Sequence, residues 1–202
     1  YATLRDVESR DSREAQLGAG LIHRLDGGTL SLTLGYFERD ESIDSLGVAA
    51  GLRDPFGVPP SRVDTDFTRY SATLSATQSL SSAVSVAYGI DWQREEGTSD
   101  GQLDFGGFFA PTSFELTRSS WAPFAEVRVE SAIGLSAQAG ARVDMPDGES
   151  SVTSPRMRVA YAMPQNLTIA ASWGKAFKLP SLYALGHPLV GNPRLSPERS
   201  RS

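Results

Sequence analysis

Apolar and polar residues alternate with a period of two along most of this chain, the pattern of strands that keep one apolar face. Leu17, Ala19, Leu21 and Leu25 alternate with Gln16, Gly18, Gly20 and Arg24, and Leu30, Leu32, Leu34 and Tyr36 alternate with Ser31, Thr33 and Gly35. The same rhythm carries Tyr70, Ala72, Leu74 and Ala76, then Val84, Val86, Tyr88, Ile90 and Trp92, then Trp121, Ala125, Val127 and Val129. It returns over 135–143, 157–161 and 167–173. This predicts about eight antiparallel strands of roughly 9–13 residues, longer than the ~5–6 of an ordinary soluble strand. At about 3.3 Å per residue and a tilt near 40°, about 11 residues rise roughly 28 Å, the height of an outer-membrane apolar band. Pro123 falls inside one strand, where it cannot donate to the ladder, so a bulge or a locally broken pair is expected there.

The connections sort into two kinds. Those at 26–28, 80–83, 131–134 and 164–166 are short, those at 39–63, 96–113 and 145–153 are long, and the two kinds alternate along the chain. Transmembrane barrels have this asymmetry, with short periplasmic turns and long extracellular loops. Tyr36, Tyr70, Trp92, Trp121 and Trp173 all fall on the apolar face near the long-loop ends of their strands, as an interfacial aromatic girdle requires. The expected fold is all-β, an antiparallel transmembrane β-barrel segment forming part of a larger barrel. The apolar faces are rich in alanine, and a soluble half-buried sheet carries the same pattern.

Composition narrows the choice. The 202 residues carry a formal net charge of −5 and contain no cysteine, which excludes disulfides and cysteine-based zinc sites. The acidic balance argues against a nucleic-acid partner. No run of 18 apolar residues provides a transmembrane helix, which leaves a barrel open because strands hide their apolar residues in alternation. The chain starts at Tyr1 with no basic-then-apolar leader and stops in polar sequence, so it reads as a piece of something longer.

The last third carries a specific signature. Residues 171–185 read Ala-Ser-Trp-Gly-Lys-Ala-Phe-Lys-Leu-Pro-Ser-Leu-Tyr-Ala-Leu, and 191–200 read Gly-Asn-Pro-Arg-Leu-Ser-Pro-Glu-Arg-Ser. This resembles the barrel of TonB-dependent outer-membrane receptors, in which a strand ending Gly-x-x-Phe-(Arg/Lys)-x-Pro-Ser-Leu leads to Gly-Asn-Pro-x-Leu-x-Pro-Glu-x-Ser. The matching positions are Gly174, Phe177, Lys178, Pro180, Asn192, Pro193, Leu195, Pro197 and Glu198. Segments 121–126, 140–144 and 154–156 resemble the family more weakly, and the first 120 residues match by strand rhythm. Physically, Gly174 is a small residue where the backbone is expected to turn, the three prolines stop strand pairing, and Asn192-Pro193 initiates a turn. The segment is thus read as a rigid structural loop.

The resemblance implies that residues 1–202 are part of a receptor barrel domain, with the plug domain, its TonB-contacting box and the C-terminal strands lying elsewhere in a parent chain. It implies uptake of a metal chelate (a ferric siderophore, haem or cobalamin) across the Gram-negative outer membrane, energised through TonB. Outer-membrane lipid, the plug and the remaining strands are the implied partners. No cofactor is expected. Two alternatives from other classes stay open. A small self-contained eight-stranded barrel with a structural or adhesive role would hydrogen-bond its first strand to its last. A soluble β-sandwich would press two apolar faces together.

Among candidate chemistry, Phe105, Phe108 and Phe109 lie on a glycine-rich stretch expected to be a long loop, where they could wall a planar or chelate ligand or pack on the rim. Asp40, Glu41 and Asp44 form an acidic loop cluster without EF-hand spacing, read as solvated, with calcium as the alternative. Asp91, Gln93, Glu126, Arg128, Arg142, Asp144, Arg156 and Arg158 fall on the polar face and are expected to line the lumen, paired across strands. His23 and His187 are the only histidines, and no nucleophile elbow, P-loop or His-Glu-x-x-His is present, so an enzyme is not expected.

Overall fold

Alternation without a covering second layer leaves each strand to be satisfied by its neighbours, and the computed structural model shows a single antiparallel sheet. It describes residues 8–52, 55–164 and 166–202; the starting Tyr1 and part of the 164–166 turn lie outside these. In chain order the strands are β1 (Ser9–Leu25), β2 (Gly28–Ser45), β3 (Ser61–Ser79), β4 (Val84–Asp104), β5 (Phe109–Pro111), β6 (Phe114–Glu130), β7 (Leu135–Pro146), β8 (Val152–Ala162) and β9 (Thr168–Lys178). A short helix α1 (Leu182–Gly186) precedes β10 (Glu198–Arg201). The order is β1-β2-β3-β4-β6-β7-β8-β9-β10, with β5 pairing only to β4.

Eight strands are long, as the periodicity predicts; β5 and β10, of 3 and 4 residues, bring the total to ten. The long strands run further than expected. β3 has 19 residues and β4 has 21, because alternation continues past the apolar band with polar residues on both faces. Pairing in water needs no apolar face, so the ladder persists: Arg39 lies opposite Phe67, and Asp64 opposite Asp100. Much of what the sequence reads as loop at the long-loop ends is therefore strand.

Register puts every apolar face on one side. Leu21, Leu32, Leu74, Ile90 and Pro123 form one cross-strand row, and Val86, Val127, Ala139, Met157 and Trp173 form another. Among the described residues nothing covers this side: Leu17 is 68% exposed, Leu21 67% and Ile169 56%. A sandwich is ruled out, since no second layer meets these residues. In the described chain β1 pairs only with β2 and β10 only with β9, so the sheet is open and the self-closed eight-stranded barrel does not form.

Pro123 breaks one pairing. β6 and β7 pair at Trp121–Met145 and again at Phe124–Arg142 with no pair between, yet the register is the same on both sides. The missing N–H opens the ladder without inserting a residue, so this is a broken pair and not a bulge.

The aromatics define a tilted line. Tyr36 and Tyr70 face each other with ring centroids 5.3 Å apart, and Trp92 and Trp121 do so at 6.3 Å. The row of Tyr36 and Tyr70 runs on to Arg94, so Trp92 sits two residues nearer the short turns. Trp173 lies in the row of Val127, six residues nearer the short turns than Trp121. The displacement has one sense throughout. Strands tilted to a barrel axis need this, because a level contour then crosses the hydrogen-bond rows obliquely.

Candidate functional site

The polar face holds what core the described chain has, and small residues decide its wiring. Asp91 on β4 and Arg142 on β7 are bonded across the intervening β6, over Ala122, which is only 2% exposed. Thr73 Oγ1 donates to Asp91 at 2.7 Å, and Arg142 Nε donates to Asp144 at 2.8 Å. One strand further on, Arg156 of β8 reaches Glu126 of β6 at 2.7 Å over Gly140. A Cβ on Gly140 would stand 2.9 Å from the Glu126 Cβ, so the bridge needs glycine beneath it. Gln138 donates to the second Glu126 oxygen. Arg158 lies opposite Gln138 on this face, and Arg128 pairs with Glu130 at 2.6 Å. The predicted polar set thus shares one wall, and two of its ion pairs, Arg142–Asp91 and Arg156–Glu126, span two strand spacings.

The segment after β9 folds back onto this wall as a roof. Leu182, 7% exposed, fills the space where Gly97 has no side chain; a Cβ on Gly97 would meet Leu182 Cδ1 at 2.8 Å. Gly186 is seated against Phe114 and Leu116 of β6, where a Cβ would come within 2.7 Å of either. Tyr183 packs edge-on to Phe114 at 6.1 Å. Arg118 fastens roof to wall: it bonds Glu95 through Nε at 3.2 Å and through Nη2, and its Nη1 donates to the Pro180 carbonyl at 2.8 Å. Gln93 donates to the other Glu95 oxygen at 2.7 Å, so that carboxylate is fully engaged.

Within the roof, Ser181 caps α1 by accepting from Ala184 N at 3.1 Å. His187 Nδ1 accepts from Leu189 N and Val190 N, both at 3.2 Å, and its ring lies 4.8 Å from that of Tyr183, which makes it a structural residue. Asn192 Oδ1 accepts from Arg194 N at 3.0 Å, and the Asn192 carbonyl accepts from Leu195 N, closing the turn that contains Pro193. Pro197 then leads into β10, where Glu198 lies opposite Lys178 and Phe177 opposite Arg199. Gly174 departs from expectation. It sits inside β9 opposite Arg156, exchanges both backbone bonds with Ser202, and makes no turn.

The remaining candidates lie at the long-loop end. Gly101 and its neighbours through Asp104 belong to β4, and Phe109 begins β5, so the expected loop is the tip of a hairpin. Phe105 N donates to the Phe108 carbonyl at 2.9 Å across a tip held at positive φ by Gly106 and Gly107. Phe105, Phe108 and Phe109 are 55%, 71% and 54% exposed, so they stand off the rim. Asp40, Glu41 and Asp44 lie in β2, not in a loop. Glu41 faces the opposite side from the other two and pairs with Arg10 and Arg39, so the three do not converge. Among the described residues no cluster of His, Cys, Asp or Glu could hold a metal. His23 lies opposite Leu30 on the apolar side.

The roof contacts and the two-strand ion bridges were beyond sequence reasoning. Their only trace is a glycine or alanine in a polar-face row, and that trace has meaning only once register is known.

A one-layer antiparallel sheet with an uncovered apolar side, a tilted aromatic line and an ion-bridged, roofed polar side is the wall of a large membrane barrel. All of residues 1–202 match the family model described as TonB dependent receptor-like, beta-barrel, and the chain belongs to that family of outer-membrane receptors. The vitamin B12 transporter BtuB of Vibrio cholerae serotype O1, in three strains, is 34% identical over 116 residues, 57% of this chain and 17% of the transporter. Two solved structures share the fold. The copper transporter OprC superposes with a TM-score of 0.73 at 14% identity, over 95% of this chain and 37% of its own. The ferric preacinetobactin receptor BauA from Acinetobacter baumannii gives 0.62 at 11% identity, over 96% of this chain and 34% of its own. The chain thus spans less than a fifth of the curated relatives it matches and about a third of these structures. All of these relatives are named as transporters or receptors.

Proposed function

We propose that this chain is part of the barrel wall of a TonB-energised receptor that imports a metal chelate, of the siderophore, haem or cobalamin kind, across the Gram-negative outer membrane. The apolar side meets lipid and the polar side faces a pore that a plug and further strands of the parent chain complete. The reading rests above all on one observation: an open sheet whose apolar side is uncovered among the described residues, in a chain all of whose 202 residues match the family model of the receptor barrel. An open sheet cannot persist in hydrocarbon, because each unpaired backbone group there costs several kcal/mol, so neighbouring strands must continue it. Phe105, Phe108 and Phe109 present an aromatic surface beyond the membrane, suited to a planar or chelate ligand. The work is binding and passage, with no covalent step.

The test is uptake by cells carrying the parent gene, with labelled cobalamin, haem and ferric siderophores offered in turn. The proposal expects one of them to enter with TonB and not without it. Entry that is equal in a TonB-deficient strain, or no entry of any, contradicts it. Replacing all three phenylalanines with alanine is expected to weaken ligand binding by the full receptor; unchanged affinity removes them from the site.

A further inference from the structure

The polar side of the sheet differs between its roofed strands and those beside them. On β4 and β6 the roof takes up the apolar contacts: Leu182 fills the space at Gly97, and Gly186 is seated on Phe114 and Leu116. On β2 and β3, beyond that seat, Phe37 and Phe67 stand on the same side. Phe67 lies opposite Gly97 and Phe37 opposite Arg69, so register fixes their facing, and both rings are partly exposed with centroids 6.1 Å apart.

Arg69 shares one cross-strand row with Phe37, Glu95 and Arg118. The carboxylate opposite it is spoken for, because Arg118 and Gln93 engage both oxygens of Glu95. Glu41 on β2 is likewise held by Arg10 and Arg39. Arg69 turns the other way. Its guanidinium stands 5.4 Å from the centre of the Phe37 ring and is in no ion pair with a described residue. β3 is paired with β2 along one edge and with β4 along the other, so this is not a cation left over at the margin of the sheet. A guanidinium laid on an aromatic face keeps its N–H edge free for a flat anion.

There is room for one beside it. The next row toward the short turns is Gly18, Gly35 and Ser71, and a Cβ on Gly18 would meet nothing beyond its chain neighbours nearer than 3.9 Å. Phe37 and Arg69 therefore border a low floor. They lie one residue beyond Tyr36 and Tyr70 toward the long loops, at the level where the roof is anchored. In the receptor proposed above, that level is the mouth of the pore.

Resting on that import reading, we propose that Phe37, Phe67 and Arg69 form a subsite for a flat anionic group of the incoming chelate, a catecholate ring, a carboxylate or a haem propionate. Arg69 supplies the charge and the two rings the stacking face. The imported chelate is then an anion, and neither uncharged nor cationic. Level selects the occupant, since a ligand arriving from outside meets this row first.

The experiment uses cells carrying the full-length receptor and offers a ferric tricatecholate, ferric citrate, haem, cyanocobalamin and a ferric trihydroxamate with a free ammonium group. TonB-dependent import should be confined to the first three, which are anions. Import of the uncharged corrinoid or of the cationic trihydroxamate overturns the subsite and leaves the import reading standing; import of none overturns both. This series needs no variant, so the subsite can fail even if a variant does not fold. For the anion that enters, R69Q should weaken binding about ten- to a hundredfold, as the loss of a hydrogen-bonded charge does, and R69K by less. F37L/F67L should weaken it severalfold, and the unfolding midpoint should hold in all three. Unchanged affinity in folded R69Q overturns the subsite. If the midpoint of R69Q falls at the same time, Arg69 belongs to a carboxylate of the plug instead.

Discussion

The two sides of this sheet solve opposite problems with the same backbone. On one side Leu17, Leu21 and Ile169 are more than half exposed and touch no second layer. On the other, Glu95, Ser99, Thr112, Ala122 and Asp144 are among the few well-buried residues described. A soluble sheet buries its greasy side and wets its polar one. Here protein covers the polar side and, among the described residues, none covers the greasy side, so the buried part is built of ion bridges, hydrogen bonds and the apolar contacts of Ala122, Val152 and Leu182. Position along the sequence does not tell the two sides apart, since consecutive residues belong to different ones. Residue-by-residue tolerance should therefore alternate along each strand.

The largest effect is expected at the roof anchor. Arg118→Met leaves the Glu95 carboxylate without its cation and should cost about 3 kcal/mol, read as a lowered urea midpoint of the reconstituted receptor and new protease cleavage within 179–197. Glu95→Met with Arg118→Met should recover most of that loss, since removing both charges strands neither. Next comes the lipid side. Leu74→Arg lies mid-band and should cost about 2–4 kcal/mol, measured by loss of heat-modifiable folded barrel; Thr73→Arg, one residue away on the other side, should cost far less. Gly97→Val pushes on Leu182 and should cost about 1–3 kcal/mol, with Leu182→Ala in the same chain restoring the roof to its wall. Smallest is the girdle: Tyr70→Leu should cost about 1 kcal/mol through loss of its partner Tyr36, visible as a modest shift in thermal unfolding.

The sequence made the sides legible and hid the connections between them. Period two alone placed Leu74 and Thr73 on different sides and gathered the polar set with Asp91 and Arg142. It could not show that Arg142 reaches across β6, because that depends on Ala122 lying in the intervening row. Strand ends are hidden in the sequence for a related reason. Past the apolar band the polar rows continue, and a ladder held by backbone bonds and ion pairs such as Arg39 to Glu41, at 3.2 Å, leaves no hydrophobic trace. Gly174 sits in a motif of turn-forming residues and so reads as a turn, whereas it pairs with Arg156 of β8 on one side and exchanges backbone bonds with Ser202, just past β10, on the other. The family motif itself is fully legible, but its role as a roof depends on Leu182 filling the space left by Gly97, a contact that no spacing in the sequence shows.

The account stands on which medium each side meets. This chain has no cysteine, so single cysteines at 70–77 of the full receptor in lipid bilayers can be spin-labelled with no background from it. The account predicts a period of two, with labels at 70, 72, 74 and 76 relaxed by oxygen dissolved in lipid and labels at 71, 73, 75 and 77 relaxed by an aqueous nickel chelate. A profile without alternation, or one in which 72, 74 and 76 are reached by the aqueous reagent, would contradict it.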